Sequence, residues 1–509
     1  MSKENKLIIG SIVAVVIMAI GFTYAYFAAI IEGNRKNITI NMTDLRIIFN
    51  GGDTIEGSNL YSEDNFDVVK TFTIENKTKS EYKYNLVIED LVNTTVTSGS
   101  LVYKITCDDT NGYNMTDFQD LPKALTATDT TLAYNIPIAS KALQTYTIEI
   151  KYINKVDVNQ SADMGTTLSG QLFIEKFEYR NKNLTAVMLE DNPTISERTY
   201  FSVANTSNTT GILYKTNKTE DGSDVYYYSG NTTNNWVYFG GFYWRIIRTN
   251  EDGSVRMLYS GMSQNTTEGY IGTSPFNSTS NDSMYEGYMY GTNGTLANNR
   301  TNVNNSTIKT TIDTWYQKNL LTNYDKYISK TAIYCNDRSN TGSTTFNYGT
   351  YKRLHTNKAP SYKCGANLSD GLFETEQAVE DKFSTSTVGG GNGQLTYPIA
   401  LMTADEIAFA GGKAYTSLIS PYAWYYLNST NSSITGDNDW WVISPDRYAS
   451  TSRLFSVDGG KYSGGALSSS FAHSSLAVRP AISLSSCVNI SYGDGTSSYP
   501  YVIDESSCS

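Results

Sequence analysis

The stretch NDWWVISPDRYAS, residues 438–450, sets two tryptophans side by side between polar residues and a Ser-Pro turn. Around and after it, Trp440, Tyr448, Arg453, Tyr462 and His473 cluster in sequence and combine flat aromatic area with polar heads. Residues of these types recognise ligands without covalent chemistry, because rings cover apolar surface while guanidinium, imidazole and phenol groups hydrogen-bond. These five are the candidate ligand-binding residues. On a strand, adjacent side chains point to opposite faces, so the two indoles cannot form one platform. One is expected in the core and the other near the surface: Trp441 inside with Ile443 and Trp440 toward the loops, with the reverse assignment open. Arg479, between Val478 and Pro480, reads as a buried structural residue, ion-paired or bonded to backbone, with Asp446 as its expected partner.

Other chemistries find less support. Asp437, Asn438 and Asp439 offer oxygen ligands to a hard cation such as calcium, yet the run has no recognisable loop of ligands around it. The chain has no C-x-x-C and only 2 His, which argues against zinc. His355 in KRLHTNK and His473 in SSFAHSSL stand in no nucleophile motif. The run VGGGNGQ lacks the Lys and Ser/Thr of a phosphate loop. Glu374 with Glu376, and Glu380 with Asp381, read as carboxylates of a surface helix or loop rather than a glycosidase pair. No catalytic residue, metal or cofactor is therefore expected.

The elements that must position these residues follow from composition. With 509 residues, 40 Tyr, 39 Gly, 10 Pro and 17% charged residues, the chain is expected to hold more than one core and many short strands. A net charge of -11 without a basic cluster excludes nucleic acid as a partner. Residues 7–31 carry no charge and as a helix would run roughly 37 Å, enough to cross a hydrocarbon core of about 30 Å. They are expected to be a single membrane span or signal anchor, with residues 1–6 as a cytoplasmic tail. Retained anchor and cleaved signal both stay open. Of five cysteines, Cys335 with Cys364 and Cys487 with Cys508 form natural short-range disulfide pairs, which places the bulk of the chain outside the cell. Cys107, on the alternating face of Leu101, Tyr103 and Ile105, is expected to be a buried free thiol.

Period-two runs mark the segment from 35 to 180. Tyr82, Tyr84, Leu86 and Ile88 alternate with polar residues, as do Tyr146, Ile148, Ile150 and Tyr152, which predicts an antiparallel β-sandwich. Residues 181–210, with Pro193, read as a linker that holds at most a short helix. From 211 to 509 the pattern is mixed, an α+β domain. Asp252-Gly253 marks a hairpin, and Ile308, Ile312, Trp315 or Tyr316, and Leu320 fall at helical spacing. Thr403 and Glu406 form a capping-box pair, with Gly411-Gly412 as the stop.

Two resemblances follow from these motifs. FYWRII, IKTTIDTWYQKNL, YCNDRS, TADEIAFAGG, WWVISP and VRPAI, in this order, resemble a bacterial cell-surface domain family of unassigned function. Its late strands look like the C-type-lectin-like fold shared with formylglycine-generating enzymes, whose activity does not carry over because the chain lacks a matching reactive cysteine pair. GFTYAYFAA and FTIENKTKSEYKYNLVIED resemble the TasA and camelysin class of secreted sandwich proteins. Together they imply a membrane-anchored surface protein whose lectin-like head recognises an extracellular glycan or protein without catalysis. A structural component of a surface fibre or matrix, and a glycan-acting hydrolase, are the alternatives.

Overall fold

The computed structural model describes residues 38–42, 45–50, 55–58, 67–153, 155, 158–163, 166–177, 179–340, 344–364, 379, 381–386, 392–460 and 464–508, with side chains from residue 69 onward except at residue 176. The chain divides into two units, residues 1–178 and 179–509. The tail, the apolar segment 7–31 and the GFTYAYFAA motif lie outside the described residues, as does Tyr462. Among the described residues no helix is long and apolar enough to cross a membrane.

The first unit is sandwich-like, with two antiparallel sheets. Its strands are β1 (Ile38–Met42), β2 (Leu45–Asn50), β3 (Ile55–Ser58), β4 (Asp67–Asn76), β5 (Tyr82–Asn93), β6 (Leu101–Cys107), β7 (Gln119–Asp120), β8 (Ala124–Ile138), β9 (Leu143–Tyr152) and β10 (Thr167–Lys176). One sheet runs β1-β2-β4-β9-β6-β7 and the other β3-β10-β5-β8. The alternation seen in sequence becomes the core. Tyr84, Leu86 and Ile88 of β5 and Tyr146, Ile148, Ile150 and Tyr152 of β9 are all buried in one cluster. The Tyr84 and Tyr146 hydroxyls bond each other at 2.7 Å, and Tyr84 also donates to Gln144 Oε1, so two phenols sit in the core with their polar ends satisfied. Cys107 is a free thiol at the end of β6, half-buried rather than buried, because the strand stops there.

The second unit is also β-rich, and its start corrects the linker reading. Lys182–Asn183 pairs with the strand Asn489–Tyr492, Leu184–Asp191 is a helix capped by Asn183, and Thr194–Glu197 pairs with Ile212–Thr216. Leu184, Val187 and Met188 enter the main core. These residues therefore belong to the folded head. Within it, β11 (Trp236–Phe239) and β12 (Phe242–Thr249) pair, and β12 turns at Gly253, where φ is 78°, into β13 (Val255–Tyr259). Helix α1 (Thr307–Asn319) buries Ile308, Ile312 and Tyr316, while Trp315 is only partly covered. Helix α2 (Ala404–Ala410) carries the complete capping box between Thr403 and Glu406 and ends at Gly411, where φ is 123°. A second sheet contains β14 (Trp440–Ala449), β15 (Ser452–Val457), β16 (Leu467–Phe471) and β17 (Ser475–Ala477), and β18 (Pro480–Leu484) returns to pair with β13. Both expected disulfides are present, Cys335–Cys364 and Cys487–Cys508, with Cα–Cα distances of 5.2 and 5.3 Å.

Candidate functional site

The residues flagged in sequence divide sharply. Trp440 and Trp441 do point to different surroundings, but both are fully buried, because the β14 sheet is covered on both faces. Trp441 donates its indole N–H to the Ser274 carbonyl at 2.9 Å and packs edge-on against Phe276. Trp440 lies under the Arg479 guanidinium, 4.7 Å from its ring centre. Neither can meet a ligand, so Trp440 leaves the candidate set.

The ion pair of Asp446 with Arg479 is also corrected. Arg479 is buried, but it donates to the carbonyls of Tyr259 at 3.1 Å and Tyr425 at 2.7 Å, and to Ser260 Oγ at 3.3 Å. Its backbone-bonding role stands without a carboxylate. Asp446 is instead turned toward Tyr415, whose hydroxyl donates to its Oδ1.

The cause is local. In the β14–β15 hairpin Pro445 pairs with Leu454 and Arg447 with Arg453, so Asp446 is one residue more than its partner strand supplies. Such a bulge re-aims side chains, and it lets Asp446 and Arg447 together oppose Arg453. Across the next strand pair Arg453 faces Phe471, and Phe455 faces Ser469. Arg453 and Phe455 are two apart and so share a face. On that face the Arg453 guanidinium lies 3.9 Å from the centre of the Phe471 ring, and the His473 ring stacks on Phe471 at 5.6 Å. Ser280 Oγ holds His473 Nδ1 at 2.8 Å. Tyr415 packs on Phe455 and is itself 38% exposed. Beside it stand Tyr351 and His355, stacked at 4.7 Å, with His355 edge-on to Tyr415 at 5.5 Å. Tyr448, on the neighbouring strand position, packs against Phe346 and donates to the Asn281 carbonyl.

Two of the five candidates, Arg453 and His473, are therefore brought to one rim, whereas Tyr448, paired with Ser452 and Phe346, points to the opposite face of the sheet. Tyr351, His355, Tyr415, Arg447 and Phe471 join it and were missed. Only Arg447 stood in the quoted stretch; Tyr415 arrives from the segment after α2, which carries no periodic signal.

The carboxyls nearest this rim are held back. Burial, the largest influence on Asp446, raises its proton affinity above the ordinary aspartate range despite Tyr415, Ser469, Arg447 and Arg453. Burial does the same more strongly to Glu286, whose Oε1 accepts the Arg453 backbone N–H at 2.9 Å.

Charges elsewhere in the head are structural. Arg248 and Arg256 share Glu406 Oε1 at 3.0 and 2.8 Å. Arg353 bonds Asp337 and Asp405, and Arg338 holds Asp381. Asp381 is thus a buried partner rather than the surface carboxylate expected; Glu374, Glu376 and Glu380 lie outside the described residues. Asp439 Oδ1 accepts the Gly459 N–H at 2.9 Å, and among the described residues no three of His, Cys, Asp and Glu are placed to hold a metal. An open groove along α1 is lined by Ser306, Thr307, Thr310, Thr311 and Thr314. The hydroxyls of Thr310, Thr311 and Thr314 donate to carbonyls four residues back, so that groove has little donor capacity to offer.

No family model matches the chain, and no curated protein matches it. A solved structure of AvmM, described as catalysing macrocyclization in alchivemycin A biosynthesis, is 9% identical and covers 29% of this chain and all of its own, with a TM-score of 0.14. A likeness that slight carries no argument.

Proposed function

We propose that the chain is a membrane-anchored bacterial surface protein whose second unit is a non-catalytic recognition head of C-type-lectin-like fold. The sandwich-like first unit serves as its stalk, as in the TasA and camelysin class it resembles. The uncharged segment 7–31 supplies the anchor, and two disulfides suit an oxidising exterior.

One observation carries the reading of the head: Tyr415, Arg447, Arg453, Phe471 and His473 meet at one exposed rim of a rigid sheet. Aromatic area at low conformational cost, interleaved with donors, is the composition of recognition surfaces. The ligand class is an extracellular glycan or protein.

The test is a glycan and surface-protein array probed with the full-length chain, beside the variant Tyr415→Ala/His473→Ala. Binding lost in the variant, with its tryptophan emission unchanged, supports the reading. Binding that survives both changes removes this rim as the site.

A further inference from the structure

We infer that the rim binds a carboxylated saccharide, with Arg447 and Arg453 holding the carboxylate and the rings of Tyr415, Phe471 and His473 flanking the sugar. This rests on the recognition reading above and names its ligand class. Four observations lead to it.

The bulge at Asp446 sets Arg447 directly across from Arg453. Like charges at opposed positions of an antiparallel pair destabilise it, and in a chain of net charge -11 a carboxylate is the abundant alternative at either position. A guanidinium pair kept there calls for an anion between strands.

The protein supplies that anion poorly. Asp446 commits Oδ1 to the Tyr415 hydroxyl, and its Oδ2 lies 3.7 Å from Arg447 Nε, beyond a good hydrogen bond. Glu286 spends Oε1 on the Arg453 backbone, not on its side chain. Burial holds both carboxyls toward the neutral form. Among the described residues Arg453 makes no ion pair, and Asp282, near Tyr448, accepts at Oδ1 the N–H of Met284 and the side chain of Asn299.

The Arg453 guanidinium is oriented rather than free, and that of Arg447 is accessible. Phe471 covers one face of Arg453, which fixes the plane of its fork, and 39% of the Arg447 side chain is exposed. A planar fork matches a carboxylate through paired N–H···O bonds. Finally, the flanking groups are ring faces. Tyr415 with His355 and Phe471 with His473 form two aromatic pairs, and ring faces suit the apolar face of a saccharide better than they suit a free small ion.

The experiment measures binding of the full-length protein by titration calorimetry to three probes: a polygalacturonate oligosaccharide, its methyl ester, and dextran sulfate. Wild type, Arg447→Gln/Arg453→Gln and Tyr415→Ala/His473→Ala are compared, with thermal melts to confirm folding. The expected result is binding of the carboxylated oligosaccharide, weakened about tenfold or more by esterification and by the double arginine change. Equal binding of the methyl ester, or undiminished binding by the arginine variant, overturns the carboxylate assignment. If Tyr415→Ala/His473→Ala still loses binding in that case, the recognition rim survives without it. Dextran sulfate bound as tightly as polygalacturonate overturns the assignment in favour of unselective charge attraction. No binding of any probe overturns it as well, while binding to other glycans on the array would leave the rim itself standing.

Discussion

Arg479 stacks on Trp440 in the interior of the head, its guanidinium 4.7 Å from the indole ring and bonded to backbone rather than to any carboxylate. A charge so placed costs desolvation energy, which is offset by carbonyls 220 and 54 residues away in sequence and by the π face beside it. It acts as a clamp joining β13, the segment around Tyr425 and β14. Arg479→Ala would leave the Tyr259 and Tyr425 carbonyls without this donor and open a cavity over Trp440. The expected loss is about 3 kcal/mol or more, read as a lower urea midpoint. Tryptophan fluorescence reports this unit alone, because all 6 Trp lie after residue 178.

Glu406 is the counter-ion for two buried arginines and also closes the capping box of α2 through its Oε2 to Thr403 N–H at 2.9 Å. Glu406→Gln leaves Arg248 and Arg256 without that charge, and a loss of about 3–5 kcal/mol is expected. Burial alone would raise this carboxyl, but Arg256 and Arg248 hold it below its ordinary value, as Arg338 does for Asp381. Groups with depressed folded values add stability that is present above their unfolded values, about 4.3 for Glu and 3.9 for Asp, and is lost as pH falls through the folded ones. The head should therefore lose stability in acid, with a smaller acid loss in Glu406→Gln. An identical pH profile in the variant would show that Glu406 is not the group responsible.

What could be read from sequence, and what could not, follows the range of each signal. The alternation of Tyr146, Ile148, Ile150 and Tyr152, the Thr403–Glu406 cap and the nearby cysteine pairs are local patterns, and each reappears in the fold. Arg479 was assigned the wrong partner because its acceptors lie far along the chain, while Asp446 was merely near in motif. The two tryptophans were expected to divide between core and surface, which holds for a sheet with one wet face; this one is packed on both. The rim depended on register shifts along β14, the last of them at Asp446, which alternation cannot reveal.

Cysteine chemistry separates the two units. Only Cys107 is free, and burial raises its proton affinity above that of an ordinary thiol. In the native chain one thiol should react with an alkylating reagent, slowly, and four more should appear only after reduction. Replacing Cys335 and Cys364 by Ala opens a loop of sequence separation 29, with an expected loss of about 3–4 kcal/mol in the head. Rapid labelling of more than one thiol without reductant would contradict the pairing.

The last prediction concerns the first unit. Glu89 of β5 is half-buried, faces Gln171 of β10, and has Asp129, Asp90 and Glu175 as neighbours. Burial first, then those three carboxylates, pushes its carboxyl up to about 7. Folded protein thus keeps a proton that the unfolded chain releases near its ordinary value of about 4.3, so the folded state binds more protons between the two values. The contribution of Glu89 is complete below about 4.3 and disappears as pH rises through about 7, leaving repulsion among the carboxylates. Glu89→Gln removes the charge without changing shape, and it should raise the melting temperature of the first unit at about pH 8 much more than at about pH 5. Circular dichroism melts detect this, the first-unit transition being the one that tryptophan fluorescence does not follow. A shift of equal size at both pH values would mean that packing, not ionisation, governs this position.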